Sequence, residues 1–371
     1  MRFLIVSNAP LVYENGIAKA YAPYIKEMAI WHENVTETAF CCPVWPAANG
    51  LLVTEVPFPF RHFRLKDFNF KTPKAICYAL FQVPYNVIIL FRAMCWANHI
   101  HLRCPGNAGL IGALIQIFFP GKKKTAKYAG NWDTSVPKPL SYRLQQHLLA
   151  NTFLTRNMAV LVYGNWAGAG KNIKPFFTAS YSKKQITSFT KEDFEGPVRF
   201  VFAGMLTPGK GVIYALKIVH ALRQRGHNIS LELYGEGVER AAVEKYIAEH
   251  ELQEFMHVFG NQNDRVLIDA YQRSHFVILP SASEGWPKVI AEGMFWGCVP
   301  IATPVSCVPD MLDSGKRGLL LKMQPHTDTA NIEALINDYR GWLVKSSEAA
   351  NWSQHFTTEL FAEEISKLVR Q

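Results

Sequence analysis

The residues best suited to chemistry lie in one segment of the second half of the chain, Leu279–Gly297 (LPSASEGWPKVIAEGMFWG). Glu284 and Glu292 stand eight positions apart in it, with Gly285 and Pro287 between them. A strand is predicted to end where the segment begins, and Pro287 favours the first position of a helix. Glycine lets a ligand approach the backbone, and the free N–H groups of a helix N-terminus attract an anion. The segment therefore predicts a phosphate site beside two carboxylates that can accept hydrogen bonds from sugar hydroxyls.

Two earlier segments place glycines at the ends of predicted strands. Phe200–Gly211 (FVFAGMLTPGKG) runs from a strand into Gly204 and reaches Lys210 at a helix start, which would aim an ammonium group at a diphosphate. Leu231–Val238 (LELYGEGV) ends at Gly235 in a way that suits a backbone passing close to a nucleotide. A tight turn with a surface lysine explains the first segment as well, and a simple turn explains the second.

Short apolar runs alternate with helical patterns along most of the chain. The predicted strands are Phe3–Val6, Ala97–Leu102, Val198–Phe202, Leu231–Tyr234, His257–Phe259, Phe276–Leu279 and Val299–Ala302. The predicted helices are Ala18–Ala29, Ala108–Phe119, Val212–Arg223, Ala241–His250, Arg265–Arg273, Lys288–Trp296 and Asp310–Ser314. Strands that alternate with helices imply parallel, doubly wound α/β sheets with right-handed crossovers.

The domain boundaries are predicted from a Ser-, Thr- and Lys-rich stretch that closes with Gly196 and Pro197. We predict a first domain at residues 1–180, a linker at 181–197 and a second domain at 198–348. Residues 349–371 repeat apolar side chains at steps of three and four, which predicts a terminal helix.

Composition and charge narrow the class of protein. The chain has 371 residues, of which 49% are apolar and 19% charged, and this excludes a wholly disordered or coiled-coil protein. Residues 1–180 hold 19 Lys and Arg against 7 Asp and Glu, whereas residues 181–371 hold 20 against 23. The basic first half would attract an anionic membrane, a phosphorylated substrate or nucleic acid, or it is a solvated face without a partner. Seven cysteines without a C-x-x-C pair predict a reducing, cytoplasmic compartment.

The most apolar stretch is Ala75–Ala97, which is interrupted by Gln82, Pro84, Asn86 and Arg92. These residues suit a membrane-spanning helix poorly. We predict a helix that packs in the core or lies at an interface.

The ordered series of motifs from Val198 to Leu321 resembles the C-terminal half of the retaining family-4 glycosyltransferases of the GT-B fold (glycosyl transferases group 1). The series adds Phe259-Gly260 to the three segments above. The resemblance implies an α/β chain of two Rossmann-like, doubly wound domains that face a central cleft. It implies a sugar nucleotide, UDP-sugar or GDP-sugar, as donor, bound mainly by the second domain without a metal ion or other cofactor. A final helix would cross back to the first domain.

Carried over to matching positions, the resemblance makes Lys210 and Glu284 the catalytic residues. Lys210 would hold the donor diphosphate, Glu284 the sugar hydroxyls and Glu292 the ribose. Further donor-binding residues are predicted at Gly16, Gly204, Gly235, Phe259, Gly285, Trp286, Pro287, Lys288 and Val289, with backbone amides from Gly285 to Val289 forming a phosphate cradle. Met205 stands where the family usually has an arginine, so Lys288 substitutes for it or donor affinity is weaker.

The first half matches the family less closely. The residues predicted to face the acceptor are Asn15, Arg103, Asn131, Trp132 and Asp133. His99 and His101 alternate on one strand face, where they could ligate a metal ion or, with no third ligand nearby, pack in the core or at the cleft edge.

The resemblance implies a retaining hexosyltransferase that moves a sugar from a nucleoside-diphosphate sugar to a saccharide or phosphorylated-lipid-linked acceptor. We expect it in cell-surface polysaccharide or glycoconjugate assembly, peripherally bound at the inner membrane face through its basic first domain. The alternative is a GT-B relative that binds a nucleotide-sugar but acts as an epimerase or phosphorylase, or has lost transfer. Nucleic-acid binding is not expected because no recognised reading motif is present. A nicotinamide dehydrogenase is disfavoured because no G-x-G-x-x-G follows the first strand.

Overall fold

The structure is a computed structural model that describes residues 1–48, 50, 52–69, 72–166, 168–186, 191, 194 and 196–370. The chain divides into two compact units, Met1–Phe176 with Ala362–Gln371 and Phe177–Phe361. The predicted linker, 181–197, belongs to the second unit, and its residues 187–190, 192, 193 and 195 lie outside the described residues.

The first unit is built on one large sheet. Its described strands are β1 (Arg2–Val6), β2 (Leu11–Glu14), β3 (Ile17–Tyr21), β4 (Glu37–Trp45), β5 (Val53–Glu55), β6 (Phe60–Leu65), β7 (His99–Cys104), β8 (Lys123–Tyr128), β9 (Met158–Tyr163) and β10 (Ile173–Phe176). Its helices are α1 (Ala22–His32), α2 (Pro73–Trp96), α3 (Asn107–Ile115), continued by a 3₁₀ turn at Gln116–Phe118, and α4 (Leu140–Ala150).

The parallel part of this sheet has the order β6-β4-β1-β7-β8-β9-β10. Numbered along the chain, these strands run 3-2-1-4-5-6-7, which begins with the strand order of the Rossmann fold. The short strands β2, β3 and β5 extend the sheet from the end of β4. The first unit is therefore doubly wound, as predicted.

A hairpin replaces the start of the helix predicted at 18–29. Asn15 and Gly16 both have positive φ, 51° and 80°, as a two-residue type I′ turn requires, and they join β2 to the antiparallel β3. The helix therefore begins only at Ala22, where Pro23 occupies its first turn.

The second unit is built on a smaller sheet. Its described strands are β11 (Val198–Ala203), β12 (Ile229–Tyr234), β13 (Met256–Gly260), β14 (Phe276–Leu279), β15 (Val299–Ala302) and β16 (Leu319–Leu320). Its helices are α5 (Val212–Gln224), α6 (Arg240–Glu249), α7 (Asp264–Arg273), α8 (Lys288–Phe295), α9 (Val308–Met311), α10 (Pro325–Asn337), α11 (Tyr339–Ser353) and α12 (Thr358–Arg370), which continues into the first unit. Short 3₁₀ turns lie at Lys183–Gln185, Pro208–Lys210 and Asp313–Gly315.

All strand pairs of this sheet are parallel, in the order β13-β12-β11-β14-β15-β16. When these six strands are numbered in chain order, the order in the sheet is 3-2-1-4-5-6, which is the strand order of the Rossmann fold. The strand predictions Phe276–Leu279 and Val299–Ala302 are confirmed to the residue. The prediction of a doubly wound second half is likewise confirmed.

The described residues of the predicted linker pack into the second unit. The Lys191 ammonium group is buried and donates to the backbone oxygens of Tyr271 and Ser274, at 2.5 and 2.6 Å, where α7 ends. A cation at this position satisfies the last carbonyls of a helix and the negative end of its dipole. The Phe194 ring lies 5.0 Å from that of Trp342. This stretch is therefore in part a structural element of the second unit.

The apolar stretch that begins at Ala75 forms α2, which continues through Pro84. Among the described residues, α2 is the one helix long and apolar enough to cross a membrane by length and composition. Only 17% of its most apolar window is buried inside the protein. Leu90, Ala93 and Met94 lie in the core of the first unit, so α2 packs on the core along one side while most of its apolar window is exposed. The alternative of an interfacial helix stays a prediction.

A buried ion cluster joins α1 to the ends of β7 and β8. Arg103 Nη1 lies 2.5 Å from Glu27 Oε1, and Lys127 Nζ lies 3.0 Å from Glu27 Oε2. Burial alone would raise the pKa of Glu27, but the two cations hold it at about 2. Glu27 is therefore ionised whenever the unit is folded near neutral pH.

His99 and His101 are core residues beside this cluster. Each ring makes a hydrogen bond with Thr125 Oγ1, at 2.9 and 2.8 Å, and both pack against Trp31. Burial lowers the pKa of His99 to about 3, so its ring is neutral. In the described part of the chain, no group of three His, Cys, Asp or Glu side chains is arranged to hold a metal ion.

Replacing Glu27 by Gln is expected to lower the free energy of unfolding at pH 7 by about 3 kcal/mol, because two buried cations lose their counter-charge. The difference in the free energy of unfolding between the variant and the native chain should be largest above pH 4.5, the ordinary pKa of a glutamate. It should shrink as the pH falls towards 2, where Glu27 of the native chain becomes protonated. Urea titrations at several pH values measure it. Glu14→Gln is the control, since it breaks the exposed pair with Lys19 and should cost at most about 0.5 kcal/mol. Equal losses in the two variants would contradict the account.

Candidate functional site

The carboxyl ends of β11 and β14 form the natural ligand position of the second unit. The two strands are neighbours in the sheet, and the strand order reverses between them. In doubly wound sheets, ligands bind outside the strand ends at such a switch point. The segments 204–211 and 280–287 both begin there, so the structure brings together the two motifs that the sequence singled out.

These two segments touch through their backbones. Gly211 has φ 69°, and a Cβ atom on it would lie 2.1 Å from the carbonyl oxygen of Pro280. The Ala282 N–H donates to the Gly209 oxygen at 2.9 Å, and the buried Ser281 hydroxyl donates to the same oxygen at 3.0 Å. A glycine is therefore required at position 211, and Ser281 positions the loop although sequence reasoning gave it no role.

The backbones of β11 and β12 also approach each other closely where the strands end, at Gly204 and Gly235. A Cβ atom on Gly235 would lie 1.8 Å from the Gly204 oxygen, and Gly235 has φ 144°. The Gly235 N–H donates to the Gly260 oxygen at 2.8 Å. Packing of neighbouring strand ends thus accounts for these glycines, and the prediction that Gly204 and Gly235 bind a donor stays a prediction.

The two predicted catalytic side chains form an ion pair. Lys210 Nζ lies 2.6 Å from Glu284 Oε1, and the Lys210 and Glu284 side chains are 25% and 8% exposed. Lys210 ends a 3₁₀ turn directly before Gly211, and Glu284 lies in the loop after β14. The residues are 74 positions apart in the chain, so only the contact between the loops brings them together.

Side chains from the loop after β15 donate hydrogen bonds to backbone oxygens of the loop that carries Glu284. Thr303 Oγ1 donates to the Ser281 oxygen, and Ser306 Oγ donates to the Gly285 oxygen at 3.0 Å. Cys307 Sγ donates to the same Gly285 oxygen at 3.2 Å. Burial raises the pKa of Cys307 to about 12, so the thiol keeps the proton that it donates. These supports follow β15, and no motif in the sequence marked them.

Two helix N-termini begin at the switch point. The caps of α5 and α8 are Gly211 and Pro287, and neither provides a capping side chain. The first N–H groups of a helix have no partner within it, so Lys288 and Val289 can offer theirs to an anion. Pro287 has no N–H, so the amides of the predicted cradle can come only from the other residues between Gly285 and Val289. The donor-binding role of these residues stays a prediction.

The second carboxylate, Glu292, is held by two hydroxyl groups. Ser180 Oγ donates to Glu292 Oε1 at 2.5 Å, and Tyr271 Oη donates to Oε2 at 3.3 Å. Burial, together with the Glu292 carboxylate, raises the pKa of Tyr271 well above its usual range. The tyrosine is therefore a permanent donor that orients the carboxylate. Sequence reasoning missed both partners, which lie 112 and 21 positions away in the chain.

Two predicted donor-binding aromatic residues have other neighbours in this structure. The Trp286 ring lies 6.0 Å from that of Trp352 and 5.5 Å from that of Phe356, so its side chain belongs to an aromatic cluster at the end of α11. Phe259 stacks on Tyr234 at 5.1 Å, with much of its surface exposed. The predicted roles of Trp286 and Phe259 in donor binding stay predictions.

Met205, which replaces the arginine expected from the resemblance, is 63% exposed on the loop that leads to Lys210. The side chain at this position is therefore accessible to a ligand, but it carries no charge. Lys210 supplies the positive side chain of this loop.

The acceptor candidates of the first unit have structural explanations of their own. Arg103 is paired with Glu27, and Asn15 stands in the exposed hairpin turn with Gly16. Trp132 is buried and packs on Tyr128, with 5.0 Å between ring centres, so it lies in the core of the first unit, and its predicted role on the acceptor side stays a prediction.

The neighbours of Trp132 close a turn. Asn131 Oδ1 accepts from the Asp133 N–H at 2.9 Å, and Asp133 Oδ1 accepts from the Ser135 N–H at 2.9 Å. Both side chains therefore make the local bonds typical of Asx turns. The prediction that Asn131 and Asp133 face the acceptor substrate stays a prediction.

Comparison with known proteins agrees with the doubly wound fold. Residues 184–357 match the family model described as Glycosyl transferases group 1. The crystal structure of HepE from Anabaena in complex with UDP and glucose superposes with a TM-score of 0.70 at 15% identity, covering 100% of this chain and 99% of that one. The chain has the GT-B fold.

Two curated relatives match parts of this GT-B chain. The uncharacterized glycosyltransferase MJ1178 of Methanocaldococcus jannaschii is 25% identical over 167 residues, 44% of this chain and 46% of the relative. The putative colanic acid biosynthesis glycosyltransferase WcaL of Salmonella typhimurium is 21% identical over 246 residues, 63% of this chain and 59% of the relative. The chain thus spans about half the length of the curated relatives it matches.

Replacing Gly235 by Ala is expected to cost the second unit about 3 kcal/mol or more, because the new methyl group meets the Gly204 carbonyl and the backbone has positive φ. Gly209→Ala is the matched control in the neighbouring loop, since a Cβ atom there has nothing within 4 Å. Its cost should stay below about 1 kcal/mol. The melting temperatures of the two variants measure this difference. Similar values would show that the close approach of Gly235 to the Gly204 carbonyl does not require a glycine.

Proposed function

We propose that this chain is a glycosyltransferase that uses a nucleoside-diphosphate sugar, with the donor bound at the switch point of the second unit. The observation that carries the proposal is the Lys210–Glu284 ion pair, which lies beside the N-termini of α5 and α8. One ammonium group and two uncapped helix ends suit a diphosphate, and a neighbouring carboxylate suits sugar hydroxyls. The match of residues 184–357 to the family model supports the same function.

The chemistry explains why a cation is needed there. When the bond between the anomeric carbon and the diphosphate breaks, positive charge develops on the sugar and negative charge on the leaving group. Lys210 and the helix N-termini stabilise the leaving group. In the structure Lys210 is neutralised by Glu284, so an arriving diphosphate competes for the ammonium group. The Glu284 carboxylate is then free to accept hydrogen bonds from the donor sugar.

Glu292 is proposed to accept hydrogen bonds from the ribose. A carboxylate has about four acceptor sites, and the bonds from Ser180 and Tyr271 use two of them. The remaining sites can serve a ribose diol, while the two hydroxyl groups hold the carboxylate in place.

The donor and the stereochemistry are finer parts of the proposal. UDP-sugar is favoured over GDP-sugar because HepE, which has the same fold, is described in complex with UDP and glucose. We propose transfer of a hexose with retention, in which the departing phosphate helps to deprotonate the acceptor. Lys210 and the helix ends supply the positive charge for which other transferases use a metal ion, so transfer is proposed to be metal-independent.

The acceptor is proposed to be a saccharide or a phosphorylated lipid carrier of cell-surface polysaccharide assembly. WcaL, named for colanic acid biosynthesis, supports the pathway class. The charge of the first 180 residues, 19 basic against 7 acidic, supports an acceptor presented at the cytoplasmic membrane face.

Met205 motivates a second candidate function. Without an arginine at this exposed position the diphosphate has one cation fewer, which favours a GT-B relative that binds a nucleotide-sugar without transferring the sugar, or an epimerase or phosphorylase. Saturable donor binding without any transfer to a panel of acceptors would favour this candidate.

A thermal-shift panel of UDP, GDP, ADP and dTDP tests donor binding. One nucleotide, expected to be UDP, should stabilise the native chain by about 2.7 kcal/mol at a hundredfold excess over Kd, which is a shift of about 5–10 °C. Lys210→Ala should abolish the shift. Lys217→Ala, an exposed lysine on α5, is the matched control and should keep it. No shift with any nucleotide would remove the basis of the proposal.

Glu284→Gln should separate binding from transfer. The variant frees Lys210 and is expected to bind UDP at least as tightly as the native chain, whereas turnover with the nucleotide-sugar should fall about a hundredfold or more. Calorimetry with UDP and a transfer assay measure the two effects. Glu249→Gln, at an exposed position at the end of α6, is the control. Loss of UDP binding in Glu284→Gln would mean that the carboxylate builds the diphosphate site instead.

A further inference from the structure

The outer side of α2 is an exposed apolar surface. Tyr78, Phe81, Tyr85 and Ile88 follow one another at steps of three and four, so they form one stripe along the helix. Phe81 is 82% exposed and Ile88 is 59% exposed. A helix that is apolar on its outer as well as its inner side normally has a partner on both.

Cations stand at both ends of the stripe. Lys74 and Arg92 are eighteen residues apart, which is five helical turns, so both lie on the face of the stripe, about 27 Å from each other. Residues 75–91 between them include no charged residue. This face of the helix therefore carries Lys74 at one end, Arg92 at the other and the apolar stripe between them.

The inner side of α2 fixes the helix along the surface. The Asn86 side chain accepts from the Lys66 N–H at 2.8 Å and donates to the Lys66 oxygen at 2.9 Å. Leu90 and Met94 are fully buried in the core of the first unit. Lys122 Nζ donates to the last carbonyls of the helix, including those of Met94 and Cys95. The helix therefore cannot turn to span a bilayer without breaking the core, but it can lie flat on one.

The surroundings extend both the apolar and the basic character. The Phe91 ring lies 5.1 Å from that of Phe119, and the neighbouring Phe118 is largely exposed. Residues 56–132 contain eleven Lys or Arg and one acidic residue, Asp67. The exposed cations on α2 and the adjoining β6 segment are Arg61, Arg64, Lys66, Lys74 and Arg92.

We propose that α2 docks the protein on an anionic lipid bilayer, with the stripe entering the interface and the flanking cations on lipid phosphates. Aromatic and aliphatic side chains between cations suit the boundary of headgroups and acyl chains. A second copy of this chain fits less well. Pairing two α2 helices, parallel or antiparallel, would place cation against cation at both ends of the stripe. The inference does not rest on the transferase function.

Co-sedimentation with vesicles tests the docking. The native chain should sediment with vesicles of equal parts phosphatidylglycerol and phosphatidylcholine, and much less with phosphatidylcholine alone. Phe81→Asp and Ile88→Asp should each lower the partition coefficient about tenfold or more, because a charge enters the apolar interface. Val344→Asp, at a 63% exposed position on α11, is the matched control and should bind like the native chain.

The charges are tested separately. Lys74→Gln with Arg92→Gln should weaken binding to anionic vesicles and reduce its dependence on salt, with less effect on phosphatidylcholine. Unchanged melting temperatures show that the variants are folded. The proposal is overturned if the native chain stays in the supernatant, or if Phe81→Asp sediments normally. It is also overturned if Phe81→Asp dissociates a dimer in light scattering, since a second copy would then cover α2. No nucleotide is present, so the outcome is independent of donor binding.

Discussion

The contact between the backbones of Gly211 and Pro280 is the constraint on which the candidate site depends. It allows the loops after β11 and β14 to touch, and this contact brings Lys210 within 2.6 Å of Glu284. Any side chain at position 211 would push the loops apart. The bonds from Ser281 to Gly209 and from Ser306 to Gly285 then hold both loops in place. The loops that carry the charged pair are thus held by uncharged groups, so a ligand can compete for the pair without loosening the loops.

Charge is used differently in the two units. In the first, Glu27 is enclosed with Arg103 and Lys127, and the cluster ties a helix to two strands. Buried ions of this kind are costly to remove singly and are shielded from solvent. In the second, Lys210 is partly exposed and its partner is nearly buried. A pair that faces solvent on its cationic side can exchange partners, which is what a site for an anionic ligand requires.

Much of the second unit was predictable because its signals are local. Strand ends with glycine, a proline at a helix start and apolar runs of strand length placed β14 and β15 to the residue. The first unit was less predictable. The pattern at 18–29 favoured a helix, but the turn at Asn15 and Gly16 turns the chain back into β3. The sequence left open whether α2 packs in the core or lies at an interface, because an apolar stretch does not show how much of its surface the fold covers.

The sequence by itself determined the doubly wound class, the glycine positions and the identity of Lys210, Glu284 and Glu292 as candidates. Each of these follows from residue type and short spacing. Only the tertiary structure decided what surrounds them. Trp286 and Trp132 proved to pack among other rings, and Ser180 and Tyr271 proved to hold Glu292. The physical reason is that these contacts join residues far apart in the chain, and their partners are chosen by sheet order and helix packing, which no local pattern records.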